Sequence, residues 1–139
     1  MSSIARVLGL RFLPVNADLA LLVLRVWFGG MLLMNHGWAK VSGYSHMVQR
    51  FPDPLGIGVP ASLALSAFAE TICSSLIAVG LFTRFEAVVC IINLTTAFVA
   101  AHGAALSGPR SGELPFMYLG AFIAILLAGA GRYSLDGKG

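Results

Sequence analysis

The chain alternates long apolar stretches with short polar breaks. Four stretches run from about Ala17 to Lys40, Val59 to Phe82, Phe85 to Leu106 and Glu113 to Gly131. Each approaches the ~20 residues needed to cross ~30 Å of hydrocarbon. No charged residue falls between Ala87 and Pro109, or between Leu114 and Gly131. Lipid offers no partner to backbone N–H and C=O groups, so spans of this kind must be helical. The pattern predicts an all-α integral membrane four-helix bundle, a single transmembrane domain over residues 1–139.

The breaks refine this picture. Only Thr83 and Arg84 separate the second stretch from the third, which predicts a tight antiparallel hairpin. The first loop, Val41 to Gly58, holds Phe51-Pro52-Asp53-Pro54 and Gly56-Ile57-Gly58, residues that interrupt a helix. Tyr44 to Phe51 has room for a short interfacial helix. Arg6 and Arg11 precede the first stretch as in a signal peptide. That stretch is nevertheless too long for a signal core, contains Arg25 and lacks a small-residue cleavage site. It reads as a retained helix. Arg6, Arg11, Arg84, Arg132 and Lys138 fall on one side of this topology, and Lys40, Arg50 and Arg110 on the other. The excess of basic residues places both chain ends in the cytoplasm.

Composition narrows the function classes. Hydrophobic residues make up 58% of the chain and charged ones 11%. A water-facing domain carries about a quarter charged residues, so this chain cannot meet water on all sides. The net charge of +3 is scattered, with no stripe suited to nucleic acid. Two cysteines, Cys73 and Cys90, show neither CxxC nor metal-ligand spacing. They read as small packing residues of adjacent helices, and no metal site is expected.

Ionisable residues inside the spans need a reason, because each costs at least ~2.5 kcal/mol at mid-membrane. Arg25, Gly29, Leu32 and His36 follow helical spacing on the first span. Ser62, Ser66, Glu70, Cys73 and Ser74 form a polar stripe on the second. Counted from the span ends, Arg25 and Glu70 lie within roughly 6 Å of one another in depth, which predicts a buried charged pair. Such a pair serves proton transfer or a polar ligand, or fixes helix register. His36, Lys40, His102 and Glu113 gather near the opposite membrane face and form a candidate ligand-binding group. Imidazole and carboxylate there can relay protons or hydrogen-bond a quinone carbonyl. They are also ordinary interfacial residues, with Lys40 reaching outward and Glu113 in a first helical turn. Asn93 is expected to bond across helices. Gly120, Ala124 and Ala128 make a small-residue stripe suited to close packing. Trp27, Trp38, Tyr118 and Tyr133 read as interfacial or packing residues.

Several of these residues fall in a family pattern. His36-Gly37-Trp38-Ala39-Lys40 resembles the HG-x-x-K end of the first helix in the DoxX family of small bacterial membrane proteins. Ala69-Glu70 with Gly80-Leu81-Phe82-Thr83-Arg84 resembles its second helix and turn. Gly112-Glu113-Leu114 with Gly129-Ala130-Gly131-Arg132-Tyr133-Ser134-Leu135-Asp136 resembles its fourth helix and tail. The similarity runs from Asp18 to Asp136. Ser74 and Ser75 depart from it where relatives often carry glycine, and Gly129-Ala130-Gly131 replaces Gly-Pro-Gly.

The resemblance implies a multi-pass protein of the bacterial inner membrane linked to redox chemistry. Relatives include quinone-reducing subunits of thiosulfate oxidation and partners of oxidative-stress enzymes. The first expectation is therefore a quinone-interacting membrane subunit of an oxidoreductase system. No haem, flavin or iron–sulfur motif is visible, so no covalently bound cofactor is expected and electrons would come from a partner or a diffusing reductant. Two alternatives stand beside it: a non-catalytic accessory subunit packed against a larger membrane complex, and a small proton-coupled carrier using Glu70. The absence of an inverted repeat disfavours the carrier.

Overall fold

The computed structural model describes residues 8–10 and 13–137, so Arg6, Arg11 and Lys138 lie outside the described residues. Among the described residues the chain is helical and without strands. The elements are α1 (Ala17–Ser42), α2 (Tyr44–Met47), α3 (Val59–Val79), α4 (Thr83–Ala101) and α5 (Glu113–Ala128). α1, α3 and α4 are long and apolar enough to cross a membrane, and α5 is a shorter apolar helix. α1 packs on α3, α3 on α4, α4 on α5, and α5 returns to α1. The four close around a core that includes Leu32, Ile77, Leu94, Phe122 and Ile125. Trp27 and Trp38 face outward, whereas Tyr118 is buried with its ring edge-on to Phe28.

The helix ends differ from those the hydropathy pattern suggests, and backbone chemistry explains each. α3 stops at Val79 although Leu81 and Phe82 continue the apolar run. Gly80 takes the left-handed conformation with φ +77°. Its N–H bonds to Leu76 O at 2.8 Å, and that of Leu81 bonds to the same oxygen at 2.9 Å. This closes the helix in the manner of a Schellman cap. A Cβ on Gly80 would stand 2.4 Å from Arg25 Nη1, so both conformation and space require glycine. α4 ends at Ala101 because Gly103 and Ala104 both turn left-handed. α5 ends at Ala128, before Gly129 with φ +83°. The expected interfacial helix shortens to Tyr44–Met47.

The segment after α5 crosses the ends of three other helices. Arg132 N donates to Asp18 Oδ1 at 3.0 Å. Leu135 N donates to Val79 O, and Asp136 N to Gly80 O. The Asp136 carboxylate accepts from Phe82 N and Thr83 N, each at 2.8 Å, and so caps α4 from a distant part of the chain. The start of α1 and this tail therefore share one face of the bundle, the terminal face. The opposite one, with the connections after α1 and α4, is the loop face.

Capping sets the protonation behaviour of Asp136. Partial burial pushes its carboxyl up, but the hydrogen bonds from Thr83 and Phe82 and the Arg25 charge outweigh this and hold it below the usual carboxylate range. A depressed folded-state value adds stability above the unfolded value and loses it as pH falls through the folded one. Asp136→Ala is expected to cost about 0.5–2 kcal/mol at neutral pH, as other cap deletions do. The difference from wild type should vanish below the ordinary carboxylate range. Thermal unfolding in detergent at neutral and strongly acid pH checks both.

Close approach of α1 to α3 depends on Gly37. A Cβ there would lie 2.1 Å from Glu70 O and 2.8 Å from Thr71 Cγ2. Gly37→Ala must therefore push two helices apart, at an expected cost of about 1–3 kcal/mol. A Cβ on Gly120 meets nothing within 4 Å, so Gly120→Ala serves as the matched control. Equal midpoints for the two variants in denaturant titration would refute this account of the contact.

Candidate functional site

The contact at Gly37 brings two charged residues together. Lys40 lies one turn beyond Gly37 on α1 and forms an ion pair with Glu70 of α3. Asn93 Nδ2 of α4 donates to Glu70 Oε1 at 2.9 Å, and Ser66 Oγ approaches the same oxygen at 3.4 Å. Glu70 is buried and held from three helices.

The expected pairing of Arg25 with Glu70 is not formed. Both residues are buried, but Arg25 stands level with the end of α3 rather than its middle. Its Nη1 donates to Ala78 O at 3.1 Å and Ile77 O at 3.3 Å, and its Nη2 donates to Tyr133 O of the tail. Seven residues separate Glu70 from Ile77, about 10 Å along the helix, which the side chain does not cross. The guanidinium instead meets carbonyls at a helix C-terminus, where the backbone dipole favours a cation.

Wide, π-helical turns mark the same positions. They span Arg25–Gly29, Leu33–Gly37, Ala69–Cys73 and Ala97–Ala101. Arg25, His36 and Glu70 lie within them, and His102 follows the fourth. Such turns loosen the regular backbone ladder and are frequent at functional sites. On α3 hydroxyls take up the loosened carbonyls. Thr71 Oγ1 donates to Ala67 O, Ser74 Oγ to Glu70 O and Ser75 Oγ to Thr71 O, each at 2.6 Å. Ser74 and Ser75 thus brace the backbone beside Glu70.

A cavity of about 470 Å³ lies against Glu70. His36, Lys40, Ser66, Glu70, Asn93 and His102 supply its polar lining, and the rest is largely apolar. Leu65, Phe68 and Ile92 line it and are exposed, so it opens sideways between α3 and α4. Its roof is the Phe51–Leu55 part of the first loop. Asp53 pins this roof, accepting from Gly58 N at 2.9 Å, Ile57 N at 3.2 Å and Ser62 Oγ at 2.6 Å. The Ser62 bond, followed by that from Gly58, holds the Asp53 carboxyl below its ordinary range. Three of the four residues expected to gather near this face, His36, Lys40 and His102, line the cavity. Glu113 does not: it is exposed at the start of α5, while Leu114 and Pro115 beside it reach the wall.

The site joins apolar walls to a polar end with an ammonium, a carboxylate, an amide and two imidazoles. It can accept a flat or branched apolar body, hydrogen-bond a carbonyl or hydroxyl, and exchange protons with it. His36 packs edge-on to Tyr118 with ring centroids 6.0 Å apart, which fixes its orientation. Among the described residues no group of three or more His, Cys, Asp or Glu is placed to hold a metal. Two features escape sequence reasoning. Lys40 is the partner of Glu70, and Glu86 of α4 is buried although it follows Arg84 and Phe85 at the edge of a span.

Comparison with known proteins assigns the chain to a family. The chain is 28% identical over 131 residues to an uncharacterised protein of Haemophilus influenzae, covering 88% of this chain and 84% of that one. No solved structure matches it. The DoxX family model matches residues 20–103, which hold most of α1, all of α3 and α4, and Lys40, Glu70 and Asn93. With more than half its length matched, this multi-pass membrane protein belongs to the DoxX family.

Proposed function

We propose that this chain is a quinone-interacting membrane subunit of a redox system. It sits in the bacterial inner membrane with both chain ends on the cytoplasmic side and works with a partner that carries redox centres. The observation that carries the reading is the cavity, whose apolar walls end at the Lys40–Glu70 pair. Its volume falls within the ~300–1,000 Å³ usual for small-ligand sites. The lateral opening faces hydrocarbon, where an apolar quinone is dissolved. A quinone supplies a two-electron, two-proton acceptor with carbonyl oxygens at its head.

The residues present fit that group. Lys40 and the second N–H of Asn93 are donors for a head carbonyl. Glu70 positions Lys40 and exchanges protons at its carboxyl oxygens. His36, held by Tyr118, is a second proton-exchanging group in the same wall. The test is titration of the chain in liposomes with ubiquinone and menaquinone analogues. At least one is expected to bind, and His36→Ala and Glu70→Gln should each weaken it about tenfold or more, the loss of one good hydrogen bond to a charged group. No binding of either analogue, with the partner's quinone reduction intact in both variants, would sink the reading.

An accessory role has its own support. Gly120, Ala124 and Ala128 are exposed along one side of α5, and the space beside Gly120 is open. Small residues on an outer face allow another helix to approach closely. A stable stoichiometric complex that keeps its turnover when this chain is deleted would favour that role.

A further inference from the structure

Glu86 has no part in the cavity, yet its placement is unusual for an acid. It is 5% exposed, and its Oε2 has no hydrogen-bond partner among the described residues. The ion pair formed among those residues is Lys40–Glu70, so no cation answers Glu86 there. An acid in a helix's first turn ordinarily serves the N-terminal dipole. At α4 that task already falls to Asp136, which takes the N–H groups of Phe82 and Thr83. A buried polar atom left unpaired is expensive and calls for a reason.

The surroundings of Glu86 suggest one. Glu86, Cys90 and Asn93 share one face of α4 by their spacing. Against them on α3 stand Glu70 and Cys73. Asn93 bonds Glu70 at 2.9 Å. The Cys90 thiol donates to Ala69 O, beside Glu70, at 3.3 Å. The Cys73 thiol is fully buried in the same core cluster as Cys90. Both thiols are free and buried. Proton-exchanging groups therefore fill the α3–α4 seam from the cavity to the first turn of α4. From Glu86 to Asn93 this is about 10 Å of helix. Beyond Glu86, toward the terminal face, comes Thr83, against which the exposed Asp136 is seated.

We propose that Glu86 is a second proton-carrying carboxyl, linked through the Cys73 and Cys90 thiols to Glu70, and that it supplies the cavity with protons from the terminal face. The proposal rests on the quinone reading, since two protons must reach a reduced quinone. Each transfer breaks one O–H or S–H bond and forms another, with no change of oxidation state at either thiol. Glu86 acts on the cavity only through these groups and touches no ligand there.

The test needs no quinone. Infrared spectra of the chain in liposomes, in H2O and in D2O, are expected to show a carboxyl C=O band that shifts on deuteration. The band should persist in Glu70→Gln, vanish in Glu86→Gln and move in Glu86→Asp. The aspartate variant keeps the test decisive if the glutamine variant does not fold. A spectrum that neither Glu86 variant changes, or a Glu86 band that deuteration leaves in place, would overturn the proposal. Binding of a quinone analogue is then measured separately on wild type and Glu86→Gln, and is expected to be unchanged. Failure of wild type to bind would strike the quinone reading alone, while the deuterium-sensitive band decides Glu86.

Discussion

Replacing Lys40 with methionine is expected to lower stability by about 3–5 kcal/mol, the range for stranding one member of a buried ion pair. Glu70 would keep Asn93 and the distant Ser66 hydroxyl but lose its cation. Glu70→Gln should be milder, at about 1–2 kcal/mol, because an amide still accepts from Asn93 and Lys40 has somewhere to go. The side chains differ in exposure, 13% for Lys40 against 6% for Glu70. Lys40 lies within three residues of the end of α1 and can swing its ammonium to the loop face. The double variant, Lys40→Met with Glu70→Gln, should then be no worse than Lys40→Met alone. Denaturant or thermal unfolding of all four proteins forms a double-mutant cycle. Strictly additive losses would show that the two residues do not interact.

The same pair shows what the amino-acid pattern could and could not reveal. The number and order of the apolar helices are legible because hydrocarbon imposes an apolar composition and a length on each span. The partner of Glu70 is not, because depth counted along an apolar run assumes that the helix ends where the run does. α3 ends at Val79, three residues before Phe82, since the left-handed Gly80 stops the helix regardless of its apolar neighbours. α1 also begins beyond the end of α3, which puts Arg25 beside Ile77 and Ala78. Its first turns pack toward α5 and the tail instead, with Asp18 bonded to Arg132 N.

What brings Lys40 to Glu70 is local and close to readable. Gly37 and Lys40 are one turn apart, and a glycine within a span permits a backbone approach that aims the residue three positions on. The cross-helix bond of Asn93 follows from the cost of an unpaired amide in lipid, and it is present. Glu86 is different. Two residues after Arg84 in the sequence, it looks like the polar edge of a span. It is buried all the same, and the helix start it would otherwise serve is capped by Asp136 of the tail. A contact 54 residues away along the chain leaves no periodic trace.

Arg25→Ala should be the most damaging change at the terminal face. The guanidinium holds three carbonyls, those of Ile77, Ala78 and Tyr133. Ile77 O keeps a second donor in Gly80 N, so two oxygens are left without their partner. At about 1–3 kcal/mol for each buried unsatisfied group, the expected loss is about 3–5 kcal/mol, a large part of a typical domain's stability. The side chain also fills the space beneath Gly80, where Nη1 comes within 2.4 Å of the position a Cβ would take. Its removal therefore opens a cavity under the tail. Arg25→Lys should recover only part of the loss, since one compact ammonium cannot span carbonyls on both α3 and the tail as a planar fork does. Limited proteolysis gives the local readout. Cleavage between Gly129 and Gly137 should accelerate in Arg25→Ala well before global unfolding, because Tyr133 loses its anchor while Leu135 and Asp136 retain theirs. Wild-type protection of the tail in Arg25→Ala would show that the Asp136 contacts alone hold it.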